Sequence, residues 1–137
     1  MGVRVRVRIS RGNKSTDLVV LVNSGAESEE PVIVVDKSVA EVLGFSHEDF
    51  NVIEVELASG RGHAYISKEK VEVSLLSEKG EPLSSIKAYL AVDEALTEPL
   101  MTDATIDELG IQVISFKKGL WRHVNDPSGV VRKSPKP

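Results

Sequence analysis

Val3, Val5, Val7 and Ile9 alternate with Arg4, Arg6, Arg8 and Ser10. This period of two predicts a strand with one buried and one charged face. Arg11-Gly12-Asn13-Lys14 reads as the turn after it. Leu18 to Val22 is a short, wholly apolar run, which predicts a strand buried on both faces, and it stops abruptly at Asn23-Ser24-Gly25-Ala26. A β-branched run, Val32 to Val35, predicts another strand. Ser38 is placed to cap a short helix from Val39 to Leu43, which Gly44 ends. From Asn51 the alternation returns, with Val52, Glu54, Glu56 and Ala58 set against Ile53, Val55 and Leu57. Ser59-Gly60-Arg61-Gly62 then reads as the turn of a hairpin. Further strands are expected at Val71 to Leu75, Ile86 to Val92, Ile111 to Phe116 and Leu120 to Val124. A second short helix is expected from a cap at Asp103 to Leu109, ended by Gly110.

These elements amount to seven or eight short strands and two short helices, with no repeat and no internal linker. They predict one mainly β domain over residues 1–124, a barrel or a sandwich. Residues 125–137 are rich in Pro, Ser and Lys and are expected to form a mobile basic tail. From Lys117 onward there are six Lys or Arg against one Asp.

Composition narrows the chemistry. A chain of 137 residues is long enough to bury a core without a disulfide or metal staple. It has no cysteine, which removes disulfides, thiolate nucleophiles, Cys-type zinc sites and iron–sulfur clusters. Aromatics are only 4%, so the core must come from Val, Ile, Leu and Ala, and stacking platforms for single-stranded nucleic acid are not expected. The net charge of −4 argues against a polyanion partner for the whole chain. No apolar run approaches the roughly 18 residues of a membrane span, and the N-terminus lacks the apolar core of a secretory signal. A cytoplasmic location is therefore expected.

The segment Leu18 to Ala26 carries the candidate chemistry. A buried strand fixes where the first polar side chain after it points. Ser24 can hydrogen-bond locally, and Gly25 permits a close backbone approach. On physical grounds alone this is also what a plain strand-to-loop turn looks like.

The segment resembles the active-site loop of retropepsin-like aspartic proteases, which reads apolar-apolar-Asp-Thr/Ser-Gly-Ala/Ser. The segments after the loop keep the family's order. The strand Val32-Ile33-Val34-Val35 leads to Ala40-Glu41-Val42-Leu43-Gly44-Phe45, like the family's short helix ending in Leu-Gly. Leu57-Ala58-Ser59-Gly60-Arg61 is similar to its small-Asp/Ser-Gly-Arg turn, and the hairpin to about Ile66 falls where the family carries a flap. Pro99-Leu100-Met101-Thr102-Asp103 and Asp107-Glu108-Leu109-Gly110-Ile111 match the late apolar pair and the helix ending Glu-Leu-Gly-Leu. The resemblance spans residues 15–116.

The resemblance implies a closed β-barrel and an aspartic endopeptidase that needs no cofactor or metal. A chain with one such loop implies a homodimer with its site on the two-fold axis. It puts Asn23 at the position of the catalytic aspartate, Ser24 as a buttress of the loop and Gly25 as a backbone contact. Ala26, Gly60, Arg61, Gly62 and His63 would border a bound peptide or protein substrate. The chain ends, Val3 to Ile9 and Ile111 to Val124, would supply the dimer interface.

The sequence departs from the family twice. Thr102 stands where the family usually has glycine, and Asn23 stands where it has aspartate. Aspartic proteases use two carboxylates about 3 Å apart that share one proton; one activates water and the other polarises the scissile carbonyl. An amide cannot shuttle that proton, so this chain is expected to bind peptide without hydrolysing it. Asn23 keeps the shape of aspartate and removes its charge. It fits a working protease inactivated at one position, and it also fits a natural peptide-binding pseudoprotease. A small β-barrel interaction module, reaching nucleic acid through the basic tail, is the third reading.

Other polar clusters read as surface. Glu27, Glu29 and Glu30 come after the loop on a solvated stretch, and Asp17 lies at the wrong end of its strand to replace the missing carboxylate. His47, Glu48 and Asp49 form a loop without metal-ligand spacing. Trp121, the single tryptophan, is expected in packing rather than ligand stacking.

Overall fold

The alternation at the N-terminus becomes strand β1 (Arg4–Arg11), whose Val5, Val7 and Ile9 are fully buried. Its other face carries the arginines outward. Arg4 makes a two-pronged ion pair with Glu98 (2.9 and 2.8 Å), and Arg8 makes one with Asp17 (2.7 and 3.0 Å). The computed structural model describes residues 2–23, 25–57 and 60–136. In it the chain is mainly β.

Strand β2 (Lys14–Val22) returns antiparallel to β1, with Val5 opposite Val20. It is longer than the apolar run, and only Val20 and Val22 are fully buried; Leu18, Val19 and Leu21 are half-covered. The expected burial on both faces is thus met on one. After β3 (Val32–Val35) comes helix α1 (Lys37–Val42), and its cap is Asp36 rather than Ser38. Asp36 accepts the Val39 N–H at 3.1 Å, and the Ser38 hydroxyl binds the same carboxylate at 2.6 Å. His47–Asp49 form a single 3-10 turn.

Strand β4 (Phe50–Leu57) pairs antiparallel with β5 (Gly60–Leu76), with Leu57 in register with Gly60, so Gly60, Arg61 and Gly62 lie on a strand rather than in the expected turn. Strand β5 is one strand of 17 residues where the sequence suggests two. The charged run Ser67-Lys68-Glu69-Lys70 is absorbed as an irregularity in its pairing with β6 (Pro82–Val92). There the buried Ser67 hydroxyl accepts the Leu90 N–H at 2.9 Å, which satisfies that donor where the ladder breaks.

Short strand β7 (Leu100–Met101) lies parallel to β2 and antiparallel to β3, while β3 and β6 run parallel. Because β1 also pairs with β5, strands β1, β2, β7, β3, β6 and β5 form a ring. Inside it pack Val7, Val20, Ile33, Val73, Leu90 and Met101, each with no measurable exposure. Helix α2 (Asp103–Leu109) comes after β7 and ends at Gly110. Its N-cap residue is Thr102, one position before the expected Asp103.

A second sheet holds β8 (Ile111–Ser115), β9 (Leu120–His123) and β10 (Arg132–Lys133), in the order β10-β9-β8. The segment expected as a mobile basic tail carries β10 and makes hydrogen bonds through residue 134. The Arg132 guanidinium forks onto Asp126 with two bonds of 2.8 Å and reaches Glu78 at 2.9 Å. The Ser134 hydroxyl lies 2.8 Å from the Gly119 carbonyl and accepts the Arg4 N–H at 2.9 Å, which fastens the C-terminal strap to the start of β1. Trp121 is buried, as expected. Among the described residues no helix is long and apolar enough to cross a membrane.

Candidate active site

Strand β2 delivers Asn23. Its inward residues Val20 and Val22 are anchored in the ring, and its last pairs, Leu21 with Leu100 and Val22 with Met101, fix it against β7. The ladder ends there, and Asn23 begins a tight loop. Its side-chain oxygen accepts the Gly25 N–H at 3.1 Å, and its backbone carbonyl accepts the Ala26 N–H at 3.1 Å. A local side-chain acceptor of this kind stabilises a turn at the expense of further strand. Gly25 suits the close approach, since a Cβ there would sit 3.2 Å from the Asn23 Oδ1, a tight contact. Asn23 and Ala26 are half-buried and Gly25 is exposed. Ser24 lies outside the described residues.

The far side of the loop is clamped to the start of α2. The Ala26 carbonyl accepts the Asp103 N–H at 2.8 Å, and one Asp103 carboxylate oxygen accepts the N–H groups of Ser28 (3.0 Å) and Ala104 (2.7 Å). Beside it runs a chain of hydroxyls. Ser28 Oγ is 2.7 Å from Thr102 Oγ1, which is 3.0 Å from Thr105 Oγ1. Thr105 both donates to the Val32 carbonyl and accepts the Val32 N–H, each at 2.9 Å. Thr102 and Thr105 are buried, so these bonds satisfy groups that would be costly to leave unpaired. Thr102, a departure from the family pattern, thus joins β3, α2 and the loop. Glycine there has no hydroxyl to do so. Thr105 reaches Thr102 within the first turn of α2, whereas Ser28 carries no local signal and only the fold brings it to Thr102.

The hairpin residues sit on a different element. Gly60, Arg61, Gly62 and His63 lie on β5 opposite Leu57, Glu56, Val55 and Glu54 of β4. Gly62 is half-buried and His63 exposed. Ala58 and Ser59 are outside the described residues. Among the described residues no hydrogen bond joins Gly62 or His63 to the Asn23 loop, so the structure brings Asn23, Gly25 and Ala26 together and leaves the hairpin separate.

Glu27, Glu29 and Glu30 are exposed, and Glu30 pairs with Lys70 at 2.9 Å. Asp17 sits toward the other end of β2 beside Arg8, whose guanidinium holds its carboxyl below the usual range. No carboxylate is therefore hydrogen-bonded to Asn23 among the described residues. His47 lines a separate cleft of about 330 Å³ with Phe45, Phe50 and Tyr65, which contains none of the loop residues. No protein-family model matches the chain, and no curated protein matches it.

Proposed function

We propose that this chain is a retropepsin-type aspartic protease domain with Asn23 in the catalytic aspartate's place. It acts as a homodimer and binds extended peptide without cleaving it. The observation that carries the reading is the placement of Asn23. A strand of the closed ring ends at that residue, and the tight loop after it is braced from behind by β7 and α2. The six-strand ring serves as the family's barrel, and the β4–β5 hairpin serves as its flap.

The chemistry of this form comes from the amide. The hydrogen bond from the Gly25 N–H uses only Oδ1 of Asn23. Aspartate would keep that bond with one oxygen and offer the other to water. Two such loops facing each other across a two-fold axis would share one proton between two carboxylates, which lets one act as base and the other as acid. Asn23 has no proton to share and almost no basicity, so water stays unactivated. Strand-like hydrogen bonds to an extended peptide do not depend on that charge.

Of the two chain ends expected at the interface, our reading uses one. Strand β1 is hydrogen-bonded on both sides, to β2 and β5, and offers no edge. Strand β8 is the edge of its sheet, with Ile114 and, just beyond it, Phe116 each 47% exposed. Asp107 and Glu108 precede β8, and Lys117 and Lys118 come after it, so antiparallel pairing of two copies sets acidic ends against basic ends.

The test compares this chain with Asn23→Asp on an unbiased peptide mixture from acid to neutral pH. Cleavage by the Asp form alone, stopped by a peptide inhibitor that mimics the transition state, supports the reading. Two inactive proteins that both dimerise would overturn the protease ancestry and leave a peptide-binding domain.

A further inference from the structure

A second concavity, of about 220 Å³, lies where the C-terminal strap crosses β1 and the end of β5. Leu76, Pro135 and the ring of Trp121 give it apolar walls, and Arg6 and Lys133 stand at its edge. Neither of these cations is ion-paired with a described residue, whereas Arg4, Arg8, Arg11, Lys70 and Arg132 all are. Glu78 is the one acidic residue on the rim, and Arg132 already holds it at 2.9 Å. Trp121 contributes as a packing wall. It is 2% exposed, and its indole N–H is buried with no acceptor among the described residues.

We propose that this cavity binds a carboxylate carried on a compact apolar body, such as the C-terminal residue of a peptide or a small branched-chain acid. The carboxylate sits between Arg6 and Lys133, and the body packs on Leu76, Pro135 and the indole. The volume falls below the roughly 300–1,000 Å³ of sites for larger ligands, which limits the occupant to about one residue. Two cations with no ion pair to a described residue favour an anion, and the apolar walls favour a hydrocarbon body over a fully hydrated inorganic ion. This site shares no residue with the Asn23 loop and does not depend on the protease reading.

Trp121 is the only tryptophan, so its emission and its single indole N–H resonance report on this place alone. The full chain is titrated with N-acetyl-leucine, with N-acetyl-leucinamide as the uncharged control and sodium chloride at matched ionic strength. A saturable change with the acid, absent with the amide and the salt, is expected. A matching shift of the indole N–H is expected with it. Arg6→Gln and Lys133→Gln, both at exposed side chains, should each weaken binding roughly tenfold while circular dichroism stays unchanged. Tighter binding of Ala-Ala-Leu than of isovalerate identifies a peptide terminus as the source, and the reverse identifies a free acid; either result keeps the site. Equal responses to acid and amide, a response that tracks ionic strength only, or full affinity in both variants would overturn it.

Discussion

Asp126 ties the C-terminal strap to the rest of the second sheet, and replacing it tests whether that strap is part of the fold. Its carboxylate accepts two bonds of 2.8 Å from Arg132 and one of 2.8 Å from the His123 N–H. The Arg132 hydrogen bonds are the main cause that lowers its pKa from 3.8 to about 2, and burial opposes them. The side chain is only 8% exposed, so solvent screens the pair weakly. A fall of nearly two units, at 1.36 kcal/mol per unit, corresponds to about 2 kcal/mol of stability. Because the folded-state value is the lower one, that stability is fully present above about pH 4. It is lost as the pH falls through about 2 and the folded carboxylate takes up a proton. The accompanying rise at Arg132 has no titration to observe, since a guanidinium stays charged wherever the protein is folded. Urea unfolding of the parent and Asp126→Asn should therefore differ by about 2 kcal/mol near neutral pH and converge near pH 2. Asp17 and Glu98, whose pKa values Arg8 and Arg4 lower, contribute the same acid slope to both proteins and cancel in the difference. A difference that does not change with pH would show that the ion pair does not hold the strap.

Thr102→Val keeps the side chain's shape and removes the hydroxyl between Ser28 and Thr105; a loss of about 1–3 kcal/mol in urea unfolding is expected, and no loss would mean that the hydroxyl chain does not brace the loop. Gly110 has φ +78°, and a Cβ there would lie 2.8 Å from Val124 Cγ1 and 2.9 Å from His123 Nε2. Gly80 has nearly the same φ, +80°, with open space around it. Gly80→Ala should cost about 1–2 kcal/mol from the left-handed backbone alone, and Gly110→Ala should cost clearly more; equal melting points would remove the steric argument. Ile114→Glu should leave monomer stability nearly unchanged and shift sedimentation from dimer to monomer, whereas a parent chain that is monomeric at every concentration would remove the homodimer from the proposal.

What is legible in the sequence is local. The valines of β1 announce themselves by period, and the apolar run into Asn23 marks the end of β2, because both signals lie within a few residues. The caps lie one or two positions from where the sequence puts them, each for a physical reason. Asp36 accepts the Val39 N–H and also the Ser38 hydroxyl, so the helix begins before Ser38, and Thr102 takes the cap position while the Asp103 carboxylate is spent on Ser28 and Ala104. The strap has the composition of a solvated tail, yet Arg132 is ordered by Asp126 nearby and by Glu78, which lies 54 residues away in sequence. The clamp behind Asn23 is illegible for the same reason, since Ser28 and Asp103 stand 75 residues apart. A hydroxyl's partner at that separation has no periodicity to betray it.

The clamp also bears on what an amide at residue 23 means for the proposed site. Nearly every bond that holds the loop comes from backbone groups, the Asp103 carboxylate and the hydroxyls of Ser28, Thr102 and Thr105. Asn23 contributes one oxygen and one carbonyl. The loop's shape is therefore independent of a charge at residue 23, and in the proposed dimer binding and hydrolysis become separable properties. The charge has its own cost. Two aspartates at the two-fold axis cannot both ionise without repulsion, so dimerisation of Asn23→Asp should weaken as pH rises through the pair's second ionisation. Dimerisation of the parent should show no such dependence on residue 23. Sedimentation of both proteins across that range, with Asn23→Ser as an uncharged control, separates the two cases. A dimer of the Asp form as insensitive to pH as that of the parent would mean that the two loops do not meet.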